Sequence, residues 1–221
     1  MDKAFIQTLL EKEAEAVRNI PVSSDYEQAI DLIVEHVHRR GGKLITCGMG
    51  KAGQIAMNIA TTFSSTGTPA SFLHPSEAQH GDLGIVREND IFLLISNSGK
   101  TREILELVDL ARGLVPHIQF IVITGKADSP LAAQANVCLP TGDPQEVCPL
   151  GLTPTTSTTV MTVIGLAIEI GQKITGTGDM DFRDVVAGLY GVLAFFAVYT
   201  VYRLIVLLVR HLMRGRKKAD A

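Results

Sequence analysis

The chain has few cysteines, three in 221 residues, and no two of them are spaced as a C-x-x-C pair. Cys47, Cys138 and Cys148 form an odd set with no disulfide framework, so reduced thiols in a cytosolic compartment are the simple expectation. An excess of positive charge is also missing. Twenty Lys and Arg against 23 Asp and Glu leave a net charge of −3, which argues against a nucleic-acid binder, whose domain is usually basic. A secretion signal is not visible at the start, because residues 1–18 are charged and amphipathic.

What is present is enough apolar material for a well-buried domain. Hydrophobic residues make up 46%, which excludes a disordered chain and predicts one domain with room for a short appendage. The charge is unevenly spread. Residues 179–221 hold seven Lys and Arg against four Asp, which leaves 13 against 19 in the rest: a body of −6 with an end of +3. The same boundary marks a change in hydrophobic pattern. Residues 185–202 carry no charge, Arg203 interrupts, 204–209 is apolar again and 210–218 is basic. The domain boundaries are therefore set at 1–178 and 179–221. Length and basic flank predict that 185–209 spans a membrane with its basic end in the cytosol. The alternative is an apolar closing helix buried against the sheet or a partner subunit.

Upstream, strands alternate with helices. Phe5, Leu9, Leu10, Ala14 and Val17 recur at helical spacing, so the chain starts with an amphipathic helix that Pro21 ends. A second helix follows Ser23 and Ser24 and stops at Gly41-Gly42. Strands are predicted at 43–47, 70–73, 90–95, 119–124 and 137–139. Helices are predicted from the glycine turn at 48–53 to about 63, and over 101–113, 130–135 and 154–175. This alternation means an α/β fold with a parallel sheet covered on both faces. Ligands on such sheets bind beyond the carboxyl ends of the strands.

Four stretches suit an anion. Gly48-Met49-Gly50-Lys51-Ala52-Gly53 opens a helix and adds a lysine to its N-terminal amides. The spacing formally fits a dinucleotide fingerprint. The next strand, however, is followed by His74-Pro75 and not by an acid for a ribose, so no nicotinamide is expected. Phe63-Ser64-Ser65-Thr66-Gly67-Thr68-Pro69 concentrates hydroxyls after the helix opened by that glycine turn, and Ser96-Asn97-Ser98-Gly99-Lys100-Thr101 gathers hydroxyls and amides at another helix start; the two read as a phosphate cradle. The run at 153–159 does the same, although helix capping explains it nearly as well. Among titratable groups, Glu103 lies in the first turn after the cradle. Glu146 precedes the last helix, and His74, Glu77, His80 and Asp82 share one loop. A proton-transfer role is the economical use of such groups.

These motifs, with Phe63-Ser-Ser-Thr-Gly-Thr-Pro69, His74-Pro-Ser-Glu-Ala-Gln-His-Gly-Asp-Leu-Gly84 and the run from Glu146 to Thr159, resemble the arabinose-5-phosphate isomerases. These are sugar isomerase (SIS) domain enzymes that include forms used in 3-deoxy-manno-octulosonate (lipopolysaccharide) and capsule synthesis. The resemblance covers the chain to about Gly165. It implies a three-layer α/β sandwich around a mostly parallel five-stranded sheet. It also implies interconversion of ribulose 5-phosphate and arabinose 5-phosphate through an enediol, with no redox cofactor. Lys51, Glu103 and Glu146 align with the family's essential residues, and His80 with a histidine that contacts substrate. Gly67, Thr68, Ser96, Asn97, Ser98 and Thr101 align with substrate contacts. His74 aligns with a position that can take up zinc without catalytic need. A homotetramer with sites shared between subunits is implied, and the chain resembles the short, single-domain members of the family that have no CBS regulatory modules. The histidine segment that the family carries after its last helix has no counterpart, since His211 sits among basic residues. The alternative is thus a sugar-phosphate-binding module without turnover.

Overall fold

The computed structural model describes residues 3–151 and 153–174. The divergent segment 179–221, with its expected apolar helix and membrane run at 185–209, lies outside the described residues. No helix among the described residues is long and apolar enough to cross a membrane.

Five short apolar segments build the sheet: β1 (Leu44–Gly48), β2 (Ala70–Phe72), β3 (Ile91–Ile95), β4 (Gln119–Thr124) and β5 (Val137–Pro140). Their order is β2-β1-β3-β4-β5 and every pairing is parallel. The expectation of a mostly parallel sheet is met by a wholly parallel one. Every residue of β1 and of β3 is buried, as befits strands covered on both faces.

Side chains alternate between two cores. Leu44, Leu93, Ile121 and Leu139 face α2 (Asp25–Ile33), α3 (Gly50–Ser65) and α6 (Thr156–Ile174). Ile45, Leu94, Phe120 and Val122 face α5 (Arg102–Leu114) and the short helix α4 (Pro75–Ala78). This is the expected sandwich of helices, sheet and helices. α2 continues as a π-helical turn, Val34–Arg39, and short 3-10 turns fill Asp82–Ile85 and Ala132–Gln134. The first helix, α1 (Lys3–Arg18), forms as its periodicity predicts. None of its residues is buried, however, and Phe5, Ile6 and Leu10 are exposed.

One buried charge ties the amino ends of β1 and β3 together. Asp90 is 1% exposed. It accepts from the N–H groups of Lys43 and Arg87 at 2.9 and 2.8 Å and from the Lys43 ammonium at 2.5 Å. Replacing Asp90 by alanine leaves the two N–H groups without this acceptor and the Lys43 ammonium with the Ile85 carbonyl at 2.8 Å in place of its counter-charge. Removing one partner of a buried pair costs about 3 kcal/mol, so urea denaturation of D90A should show a loss of about that size. A loss of unfolding free energy below about 1 kcal/mol would mean the pair behaves as a surface bridge.

Candidate active site

Three helices begin at the carboxyl edge of the sheet, and their first turns define a cleft of about 600 Å³. The first turn belongs to α3. Gly50 takes φ +56°, a left-handed conformation that favours glycine. A Cβ on Gly48 would stand 2.6 Å from the Ala52 backbone, so the chain reverses too tightly for any side chain there. The turn puts Lys51 in the first turn of a helix, where backbone dipoles repel a cation. Its Nζ donates to the Pro154 carbonyl at 3.3 Å, across the cleft from α3.

The second turn is the cradle between β3 and α5. Ser96 is only 3% exposed. Its hydroxyl is 2.8 Å from that of Thr101 and accepts from Gly99 N–H at 3.1 Å. Ser96 therefore braces the loop from the cleft floor, while Asn97 and Ser98 are exposed along it. Thr101 lies at the N-cap of α5, whose first amides have no helical acceptor.

The third turn opens α6, and Glu146 holds it. Glu146 Oε2 accepts from Thr155 N–H at 2.6 Å, from the Thr155 hydroxyl at 3.0 Å and from Ser157 N–H at 3.4 Å. Its Oε1 accepts from the Ser157 hydroxyl. Burial pushes this carboxyl up, but the hydrogen bonds from Ser157 and Thr155 outweigh it and hold the group below the usual carboxylate range. The helix is thus capped by an ionised carboxylate from the preceding loop. From behind, Thr156 donates to Glu13 of α1 at 2.7 Å and accepts from Val147 N–H at 3.1 Å.

Of the residues predicted from sequence, Lys51, Glu146, Ser96, Asn97, Ser98 and Thr101 line this one cleft. Glu103 stands in the first turn of α5, half-buried, beside the cleft lining and not within it. Glu106, one helical turn on, accepts from Gln79 at 2.8 Å, which ties the segment carrying His74 and His80 to α5. His74 lies just past the carboxyl end of β2, and His80 is exposed beyond α4. Gly67 and Thr68 are not brought to the cleft. They precede β2 and so lie at the amino edge of the sheet, where Thr68 is 2% exposed and its hydroxyl meets His38 at 3.2 Å and Gln172 at 3.3 Å. Ser157, from the hydroxyl run at 153–159, and Lys126 line the cleft as well. Lys126 carries no motif. Its signal is its position just after a strand of a parallel sheet, where ligand contacts concentrate.

A zinc ion needs about four ligands. His74 Nδ1 is buried without a hydrogen-bond partner, which leaves one donor atom open. No group of three or more His, Cys, Asp or Glu that could hold a metal occurs among the described residues. The described residues thus bring no zinc ligand set together around His74.

The sequence matches the SIS domain family over residues 38–169. An arabinose 5-phosphate isomerase of Yersinia pestis is 42% identical over 174 residues, which cover 78% of this chain and 51% of that protein. The chain thus spans about half the length of such curated relatives. Among solved structures, a Bacteroides fragilis protein assigned to phosphosugar isomerisation in capsule formation is 66% identical, with a TM-score of 0.78 over 80% of this chain and 92% of that one. An Escherichia coli CFT073 protein in complex with arabinose 5-phosphate is 33% identical, with a TM-score of 0.73 over 86% of this chain and all of that one. The chain belongs to the SIS domain family, in the company of the arabinose 5-phosphate isomerases.

Proposed function

We propose that this chain is an aldose–ketose isomerase that interconverts ribulose 5-phosphate and arabinose 5-phosphate. The observation that carries the reading is the convergence of three helix N-termini, a hydroxyl loop and Lys51 on one cleft, with an ionised Glu146 beside them. Helix N-termini and hydroxyls hold a phosphate. The solved relative in complex with arabinose 5-phosphate supports the substrate class.

The reaction moves a proton between adjacent carbons and polarises a carbonyl oxygen. Lys51 is assigned to the enediolate oxygen. Glu103 is assigned as the base, because no described residue donates to its carboxylate, whereas both oxygens of Glu146 already accept hydrogen bonds. Glu146 then fixes the Thr155–Ser157 turn, and His80 moves protons between oxygens. The exposed apolar side of α1 and the remote Gly67 and Thr68 suit a homo-oligomer in which a second copy completes each site. A cytosolic location and the membrane contact at 185–209 rest on composition and run length alone. Release of the full chain by alkaline carbonate without detergent would remove the membrane contact.

A second reading is a sugar-phosphate-binding module without turnover, favoured by the missing histidine segment after the last helix. Incubating the purified chain with arabinose 5-phosphate separates the two. Formation of ribulose 5-phosphate establishes the isomerase. Thermal stabilisation by the sugar phosphate without turnover establishes the module, and absence of both rejects both.

A further inference from the structure

Lys126 is a second cation in the cleft, and the isomerisation scheme above leaves it without a task. It follows β4, and the backbone there is stitched to the cradle. Ser96 N–H donates to the Ile123 carbonyl and Gly125 N–H to the Asn97 carbonyl, both at 3.0 Å. Lys126 N–H donates to the Thr124 hydroxyl at 3.2 Å. A Cβ on Gly125 would stand 2.6 Å from Asn97 Oδ1, so the two loops touch with no space between them. Lys126 therefore rises beside Asn97 and Ser98, the groups assigned to the phosphate.

Its present partner holds it loosely. Lys126 Nζ pairs with Asp143, and the two side chains are 51% and 52% exposed. Water and salt screen an ion pair of that exposure, and such pairs contribute little. A phosphate monoester carries a charge of about −1.5 to −2 near neutral pH and offers three acceptor oxygens, so it competes well for the ammonium. Asp143 itself has a φ of 51° after Gly142 at 78°, which places its carboxylate in a turn that a short polar side chain tolerates.

We infer that Lys126 is a phosphate-binding residue of this cleft, which leaves Asp143 for the phosphate when a phosphorylated sugar enters. The inference rests on the sugar-phosphate reading above and deepens it: Lys126 and the cradle hold the phosphate, which leaves Lys51 for the oxygen at the reacting end.

Steady-state kinetics of K126M and K126R with arabinose 5-phosphate, with inorganic phosphate as competing anion, test it. Loss of one partner of a charged pair predicts a KM raised about 10- to 100-fold in K126M, with kcat within about threefold. Inhibition by phosphate should weaken by a similar factor, and K126R should recover most of both. An active, folded K126M with unchanged KM and unchanged phosphate inhibition overturns the assignment. A fall in kcat at constant KM also overturns it, because that pattern marks a group acting only in the transition state. If K126M does not fold, D143N replaces it: freeing the lysine should lower KM, and an unchanged or raised KM counts against the assignment. If the wild-type chain shows no turnover, the isomerase reading fails separately. Calorimetric titration of wild type and K126M with inorganic phosphate then decides Lys126, and equal affinities overturn it.

Discussion

Glu103→Gln should lower kcat on arabinose 5-phosphate about a thousandfold, within the usual range for a general base, while the protein melts within a few degrees of wild type. No described residue donates a hydrogen bond to Glu103, and it stands half-buried in the first turn of α5. The fold therefore loses only a helix-dipole contribution of about 0.3–1 kcal/mol. Glu146→Gln should behave differently, with about a tenfold loss, because an amide oxygen still caps the turn and removes only part of the acceptor set. Its mark is on stability. The folded Glu146 lies below its ordinary value of 4.5, so it contributes stability that is present above the unfolded value and lost as pH falls through the depressed one. A plot of melting temperature against pH from about 3 to 7 should drop on its acid side in wild type and flatten there in E146Q. A Glu146→Gln protein as inactive as Glu103→Gln, with an unchanged acid limb, would reverse the two roles.

The extent to which the fold was legible varies by element for physical reasons. β4 falls at Gln119–Thr124, the span its apolar run predicts, because a strand buried on both faces leaves a continuous hydrophobic signature. α4, Pro75–Ala78, lies where the sequence pattern predicts loop. Four residues carry no periodicity, and only Pro75 at its first position hints at a helix. The π-helical end of α2 was equally hidden. Its register lets His36 reach the Asn89 carbonyl at 3.3 Å and His38 the Thr68 hydroxyl at 3.2 Å, contacts that span more than twenty residues of sequence.

The site was legible where a turn must have a given shape. The glycines around Lys51 and the hydroxyls at 96–101 advertise a backbone that approaches an anion. Local pattern marks Glu146 merely as an acid near a strand end, and its importance enters through the resemblance. Its four hydrogen-bond donors come from residues 155 and 157, across a loop whose path the sequence does not reveal. Lys126 was invisible because one lysine after a strand is ordinary; its meaning comes from Gly125 lying against Asn97. Gly67 and Thr68 belong to a hydroxyl-rich stretch, 63–69, that reads locally like the loop at 96–101, but it precedes β2 and so lies at the amino edge of the sheet, away from the cleft.

Lys51→Met should separate activity from stability most sharply. One lost donor to a developing oxyanion lowers kcat about 10²- to 10³-fold, and the substitution keeps the length and much of the apolar stem. Stability should hold or rise. A cation in the first turn of a helix opposes the dipole by about 0.3–1 kcal/mol, and the contact of Lys51 with the Pro154 carbonyl, at 3.3 Å and exposed, offsets only part of that. For a domain of this size, about 1 kcal/mol corresponds to roughly 2–4 °C in Tm, so a rise of up to about 2 °C is expected. Salt should reduce the gain by screening the dipole interaction. A protein that melts several degrees lower while keeping its turnover would make Lys51 a pin between α3 and the start of α6. A loss of turnover with preserved or raised Tm fits a lysine kept against its local electrostatic preference, at the spot where the substrate brings negative charge.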